Sequence, residues 1–576
     1  MPVASTGSIP LPALRAAPSD RHKWIVLSNT TLGVLMATID SSITLIALPD
    51  IFRGIGLDPL LPGNSFYLFW MILSFLVVSS VLVVSLGRLG DLFGRVRMYN
   101  LGFAIYTLAS LLLTITWMSG REAALYLVIM RVFQGVGAAF LVGTSPAILT
   151  DAFPAHQRGL ALGLNSVAGI SGAFIGLVLG GVLAPIEWRL IFLISVPIGL
   201  FGTVWAYRSL EEHRAPRRAR MDWAGNVTFA AGLVALMIGV TYGIQPYGSH
   251  TMGWTSPAVL AELGTGLALL AAFLVIESRV AEPMFRLPLF RIRAFSAGVL
   301  ANFLAAVGRG GLMFILIIWL QGIWLPLHGY SFARTPLWAG IYMLPLTLGF
   351  LISGPISGIL SDRLGSRPFA VGGMLGTAVG FTLLLLLPLD FPYLLFAAVL
   401  LATGIAMGAF GSPNRASVMN SLPADDRGAG GGMMATFQNS AQVLSIGIFF
   451  TLMIVGLAAS LPHSLMDGLT AQGVPAADAH RVAHLPPIST LFAAFLGYNP
   501  MEHLLGPSVL HGLPRAHAAT LTGRQFFPNL ISAPFRQGLH AAFAFAIVAS
   551  LVAAAASWSR GRGPGPAVAS PVAELP

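Results

Sequence analysis

Gly87-Arg88-Leu89-Gly90-Asp91-Leu92-Phe93-Gly94-Arg95 has a second copy later in the chain, Gly358-Ile359-Leu360-Ser361-Asp362-Arg363-Leu364-Gly365-Ser366-Arg367. Both copies keep Gly, Asp, Gly and Arg in the same order, and both join two long apolar runs. An internal repeat of this kind marks a chain built from two related halves. The residue types carry a physical meaning of their own. Glycines let neighbouring helices approach closely. An aspartate in such a loop accepts hydrogen bonds from arginine or sits at a helix N-terminus. A charged latch at one face of a helix bundle can close in one conformation and open in another.

Outward from the two loops the chain is apolar. Hydrophobic residues make up 56% of the 576 and charged residues 9%, against about 25% charged in a soluble domain. The apolar residues fall in blocks near 24–48, 66–86, 98–118, 124–148, 160–183, 189–207, 225–244, 257–276, 295–320, 338–360, 369–388, 392–412, 431–460 and 537–558. Each block is close to the roughly 20 residues that cross a bilayer as a helix. Helices satisfy their own backbone in lipid, so the composition predicts an all-α polytopic membrane protein with fourteen spans. Each repeat loop follows the second span of a six-span set. The predicted organisation is a tail (1–23), a six-helix half (24–207), a linker with two additional transmembrane helices (208–294), a second six-helix half (295–558) and a tail (559–576). One stretch, 461–536, is too long for a simple connection. It holds six of the twelve histidines, and its apolar pieces, such as Leu491–Leu496, are too short to span. It is expected to form extended helix ends or a lid lying at the outer surface.

Cysteine is absent, which excludes disulfides and thiolate metal sites. The only lysine, Lys23, precedes Trp24, so the chain has no P-loop and no ATP site of that type. The net charge of +10 has a better explanation than nucleic acid, because arginines gather on cytoplasmic loops of membrane proteins. Arg88, Arg95, Arg97, Arg158, Arg208, Arg279, Arg286, Arg363, Arg367, Arg415 and Arg427 fall in one set of loops, and the opposite short loops hold only Arg53, Arg121, Arg189 and Arg334. This places the basic set, and with it both termini, in the cytoplasm. Arg21, His22 and Lys23 lead into the first apolar run without a small-residue cleavage site, which reads as a retained span. An arginine-dominated chain rich in Ala and Gly hints at a bacterial source.

Further motifs accompany the repeat. Arg131-Val132-Phe133-Gln134-Gly135 lies in span 4, Asp40 and Ala47-Leu48-Pro49 in span 1, and Trp188-Arg189-Leu190-Ile191-Phe192 opens span 6. With the loop motif, these residues resemble the major facilitator superfamily, and within it the fourteen-span drug:proton antiporters. The resemblance covers roughly residues 24–460 and the final span. It implies two pseudo-symmetric six-helix bundles with the additional pair between them, a monomer in a bacterial inner membrane, and a small-molecule substrate. It also implies a proton gradient as energy source, with no cofactor or metal. The subfamily's span 5 motif, G-x-x-x-G-P-x-x-G-G, is met by Gly172, Gly176, Gly180 and Gly181, with Leu177 in place of the proline. That removes the expected kink and leaves a glycine face for close packing.

Ionisable groups inside a membrane cost about 2.5–3.5 kcal/mol each on insertion scales and need a reason. Asp40, Arg131 and Arg309 stand out. Asp40 lies about 24 Å into span 1 and Arg131 about 12 Å into span 4 from the other side, at 1.5 Å per residue. Pairing is therefore possible. Asp40 would carry the proton and Arg131 would tune it; a fixed ion pair that only orients helices is the competing reading. Asn302, Gln134, Gln321, Gln438 and Gln442 are candidates for polar cavity lining, with interhelical bonding as the alternative. The second half offers no acid inside a span, so the core carries net positive charge and favours neutral or anionic substrates over dications. The leading function is proton-coupled export of amphipathic or lipophilic small molecules. Export of an endogenous lipid or metabolite is the alternative, and a membrane enzyme a third class.

Overall fold

The computed structural model describes residues 20–560 apart from 59–60, 62, 155–156, 213–221, 249, 251, 282, 284, 424–425 and 497–498. The side chains of Asp91 and Asp362 also lie outside the described part. Among the described residues, fourteen helices are long and apolar enough to cross a membrane. They are span 1 (Arg21–Gly54), 2 (Phe66–Gly90), 3 (Arg95–Thr114), 4 (Gly120–Ala152), 5 (Leu160–Leu183), 6 (Leu190–Ser209), 7 (Trp223–Gly243), 8 (Pro257–Glu277), 9 (Arg293–Leu327), 10 (Phe332–Ser361), 11 (Ser366–Leu386), 12 (Tyr393–Asn420), 13 (Ala429–Ala458) and 14 (Phe526–Ser559). Several run to 30 residues or more, beyond the hydrocarbon thickness, so their ends stand out of it. The only extended pairing among the described residues is an isolated bridge between Tyr247 and His250. Fourteen crossings put both described ends on the same side as the two repeat loops. We refer to that side as the basic face and to the other as the distal face.

Lipid gives helices no hydrophobic reason to associate, so small residues and van der Waals contact decide the packing. The same pairs form in both halves: 1 with 5 and 9 with 13, 2 with 4 and 10 with 12, 3 with 4 and 11 with 12. Glycine makes the closest approaches. A side chain on Gly143 of span 4 would lie 2.5 Å from the Val83 carbonyl of span 2, and one on Gly349 of span 10 would lie 2.3 Å from the Leu401 carbonyl of span 12. Spans 7 and 8 pack on each other outside the two bundles. Span 7 reaches span 2 through a hydrogen bond between Ser85 and Asn226, and span 13 through Val240 against Gly447.

The stretch after span 13 folds as short helices: Leu461–Ala471, Ala476–Ala483, Pro487–Leu496, Met501–Gly512 and Arg515–Thr522. Here the structure corrects the expectation of a lid lying at the surface. Ile488, Leu491, Phe492, Ala493, Ala494 and Leu496 are all buried, because Pro487–Leu496 is inserted among the span ends. A ten-residue helix with apolar side chains on every face has no side that water would solvate, and it burrows.

Candidate functional site

Asp40 on span 1 and Arg131 on span 4 meet in a salt bridge with 0% and 1% of their side-chain surface exposed. The surroundings neutralise both partners. Arg131 Nη1 also donates to Gln134 Oε1 at 2.8 Å, and Nε donates to the Met71 carbonyl at 3.3 Å. Its guanidinium stacks 4.4 Å from the centre of the Phe75 ring. Gln134 Nε2 donates to Asp40 Oδ1 at 3.2 Å and to Ser110 Oγ at 2.8 Å. Gln134 follows Arg131 by three residues, one helical turn, so span 4 presents both on one face. Thr44 donates to the Asp40 backbone carbonyl at 2.9 Å, a bond within span 1 that does not touch the carboxylate. Tyr106 of span 3 is fully buried beside the pair, near enough for its hydroxyl to feel the charges of both partners.

A buried ion pair repays its desolvation only when its remaining lone pairs and protons are satisfied. This one is satisfied from four helices. Spans 2 and 3 supply Met71, Phe75 and Ser110, none of which stood out in the sequence. Serine is common in spans, and the only signal was its wait for a partner.

The two repeat loops share a backbone and differ in their partners. Gly94 and Gly365 adopt φ of 107° and 85°, a region open to glycine and strained for other residues. Gly87 packs against the Gly143 backbone of span 4, and Gly358 against Ser412 of span 12. In the first loop Arg95 Nη1 reaches Asp151 Oδ2 at the end of span 4, 2.7 Å away. Glu212 of the linker accepts from the backbone N–H of Arg95 at 2.8 Å and of Val96 at 3.0 Å, capping span 3. In the second loop Arg367 lies 4.2 Å from the centre of the Trp558 ring of span 14, and Arg363 is exposed in the last turn of its helix. Asp151 and Glu212 were missed in the sequence, although they are among the few acids on the basic side.

The span 5 glycines face span 1 at one-turn spacing. Gly172 abuts Thr38, Gly176 abuts the Ile39 carbonyl and Ser42, and Gly180 abuts Ile43 and Ile46. Gly181 points the other way, onto the Leu337 backbone of span 10, and Leu177 meets Gly340 there. The distal ends of spans 5 and 10 are therefore in direct contact across the two halves. Nearer the basic face, Gly163 of span 5 and Gly354 of span 10 have no atom within 4 Å of where a side chain would begin.

Arg309 of span 9 is half-buried, with its guanidinium 6.0 Å from the centre of the Phe350 ring of span 10. Arg415, assigned to a loop by the sequence reading, lies inside span 12 and acts electrostatically on Arg309. Asn302 Nδ2 donates to Gln438 Oε1 at 3.4 Å, and Gly310 packs against Gln442 and Ser445. A polar seam thus runs between spans 9 and 13. Gln321 is sealed, 1% exposed, with Nε2 unpartnered, and Gln134 is committed to the ion-pair network. Neither lines an open space in this conformation.

A sequence profile of the Major Facilitator Superfamily matches residues 30–446. The chain belongs to that superfamily. Other superfamily transporters share its sequence at moderate identity. The tetracenomycin C resistance and export protein of Streptomyces glaucescens is 28% identical over 556 residues, covering 95% of this chain and 92% of that one. The riboflavin transporter RibZ of Clostridioides difficile (strain 630) is 29% identical, covering 74% of this chain and 88% of that one. The multidrug transporter protein MdtP of Bacillus subtilis (strain 168) is 25% identical, covering 86% of each chain. Among solved structures, an inward-facing, occupied bacterial homologue of the human lysosomal transporter Spinster shares the superfamily fold, with a TM-score of 0.56 at 14% identity over 94% of this chain and 97% of that one. The chain is a multi-pass membrane transporter.

Proposed function

We propose that this transporter is a proton-coupled exporter of amphipathic or lipophilic small molecules, working by alternating access with its basic face toward the cytoplasm of a bacterial inner membrane. The observation that carries the reading is the Asp40–Arg131 pair, a carboxylate sealed inside the first half and held by four helices. A carboxylate so placed changes its preference for a proton whenever its partners move. Rearrangement of spans 1 and 4 during the access cycle would therefore load and unload it. Export is supported by the relatives named as resistance, export and multidrug proteins.

Charge narrows the substrate. Spans 9–14 contain no Asp or Glu, while Arg309 stands on span 9 beside the Phe350 ring. Moving one charge across 100 mV changes its energy by about 2.3 kcal/mol, and an inside-negative membrane helps anions leave. Neutral and anionic amphiphiles suit this site better than dications. An endogenous metabolite remains a second reading, favoured by the likeness to a protein named as a riboflavin transporter.

The test is substrate-dependent proton movement in everted vesicles. Addition of a transported compound to energised vesicles should collapse part of the pH gradient, and Asp40→Asn should abolish that response. Substrate-driven proton flux that persists unchanged in the variant would refute the coupling role.

A further inference from the structure

Helix Pro487–Leu496 occupies a position that alternating access cannot leave undisturbed. Leu491, Phe492, Ala493 and Ala494 are consecutive and each is at most 1% exposed. Four consecutive residues turn through a full helical revolution, so this helix is enclosed on every side. A helix resting on a surface keeps one face wet.

The enclosing residues come from both halves. The Phe492 ring centre lies 5.1 Å from that of Phe69 in span 2 and 5.4 Å from that of Phe450 in span 13. Phe69 and Phe450 are 4.6 Å apart, and Phe314 of span 9 adds a fourth ring 4.4 Å from Phe450. Below them, the Ala494 carbonyl faces Gly322, where any side chain would begin 2.5 Å from that oxygen. Gly322 belongs to the π-helical turn Leu320–Trp324 that interrupts span 9. Single π turns within α-helices mark places where a helix is adapted to a functional contact.

Connectivity gives the cluster a direction. The segment leaves span 13 and returns into span 14, and Ser460 is bonded to Gln537 at 2.9 Å where the two meet. Gln525 Nε2 donates to the Leu327 carbonyl of span 9 at 3.0 Å. All these anchors lie in the second half. Among the contacts that cross to the first half are Phe492 on Phe69, the packing of this helix on span 1, and His503 Nε2 on Asp58 Oδ2 at 3.1 Å. If the halves rock apart at the distal face, Phe69 must leave Phe450, and Phe492 is lodged against both.

We propose that helix Pro487–Leu496 is the distal-face gate and that Phe492 is its closing residue, stabilising the state in which the distal side is shut. The proposal rests on the alternating-access reading, but not on proton coupling or on the substrate. The gate travels with the second half and unseats from Phe69 when the distal side opens. Removing the ring then shifts the population toward the distal-open state.

The chain lacks cysteine, so single reporters can be introduced without background. A Gln442→Cys variant, with its thiol in the polar seam of span 13, is treated from the distal side with a membrane-impermeant maleimide. Adding Phe492→Ala should raise the labelling rate about tenfold, and Phe492→Leu should raise it less. A rate unchanged by Phe492→Ala would overturn the proposal. Should the alanine variant fail to fold, a Phe69→Cys/Phe492→Cys pair joined by a short, reducible thiol cross-linker answers the question. In a variant that also carries Gln442→Cys, maleimide labelling at residue 442, read by peptide mass spectrometry so that the thiols freed at 69 and 492 are not counted, should be slower in the linked protein than after reduction, whereas labelling at 442 that is indifferent to the link overturns the gate. Neither readout needs a transported compound, so a wrong assignment of substrate or coupling ion would leave these outcomes intact.

Discussion

Arg131 donates to Asp40 at a point where neither side chain meets solvent, and the glutamine one turn along span 4 touches both. Asp40→Asn keeps the shape of the carboxylate but strips Arg131 of its counter-charge. Breaking a buried pair from one side costs about 3–5 kcal/mol. We expect a lower melting temperature in detergent, loss of proton-driven transport, and retained substrate binding. The double variant Asp40→Asn/Arg131→Gln should recover part of the stability and none of the coupling. A double-mutant cycle of melting temperatures beside proton-flux traces checks both.

The latch at the basic face should behave differently. Arg95 with Asp151, and Glu212 on the N-terminus of span 3, are partly exposed contacts. Such pairs contribute about 0–1 kcal/mol, and a cap about 1 kcal/mol. Asp151→Asn or Glu212→Gln should therefore lower transport severalfold with little change in melting temperature, by shifting the balance between access states. Equal losses of stability and transport would identify a purely structural contact.

Span 5 offers a contrast within one helix. A side chain at Gly176 would begin 2.4 Å from the Ile39 carbonyl, whereas one at Gly163 meets nothing within 4 Å. Overpacking of this kind costs about 1–3 kcal/mol or more, and backbone cannot rotate away. Gly176→Val should yield little folded protein. Gly163→Ala should be neutral or stabilising by up to about 1 kcal/mol, since alanine is the better helix former. Thermal unfolding followed by size-exclusion separates the two.

At the basic end of spans 7 and 8, Asp222 Oδ1 accepts from Gly225 N–H at 2.8 Å and Glu277 Oε2 accepts from Phe285 N–H at 2.9 Å. The remaining oxygens, Asp222 Oδ2 and Glu277 Oε1, are buried, converge beside Gly225 and meet no donor from another side chain among the described residues. An amide at residue 277 would supply a donor between them. Glu277→Gln should stabilise the protein by about 1 kcal/mol, and Glu277→Ala, which strands the Phe285 N–H, should destabilise it by about 1–3 kcal/mol. Melting temperatures at neutral pH decide.

Substrate charge is tested by competition. Matched cationic, neutral and anionic amphiphiles should compete for transport in the order anionic or neutral before dicationic, and Arg309→Gln should weaken the anion about tenfold or more, as loss of a charge-assisted contact requires. A dication as the tightest competitor would reverse the assignment.

The sequence by itself determined the parts that local composition controls. Fourteen apolar runs, the repeated loops and the basic face were legible because hydropathy, chain length and loop charge act on each segment separately. Gly94 and Gly365 were legible as special positions, and the depths of Asp40 and Arg131 could be counted along their helices. Tertiary structure alone decided the rotation of span 4 that brings Arg131 onto Asp40, and the arrival of Met71, Phe75 and Ser110 around them. It also decided that Glu212, remote in sequence, caps span 3, and that Arg415 belongs within a span. Helix Pro487–Leu496 shows the reason most clearly. A short, mostly apolar segment reads the same whether it lies on a surface or fills a mouth, because hydrophobicity is a property of the segment. The seat is a property of Phe69, Phe314 and Phe450, supplied by three helices that only folding brings together.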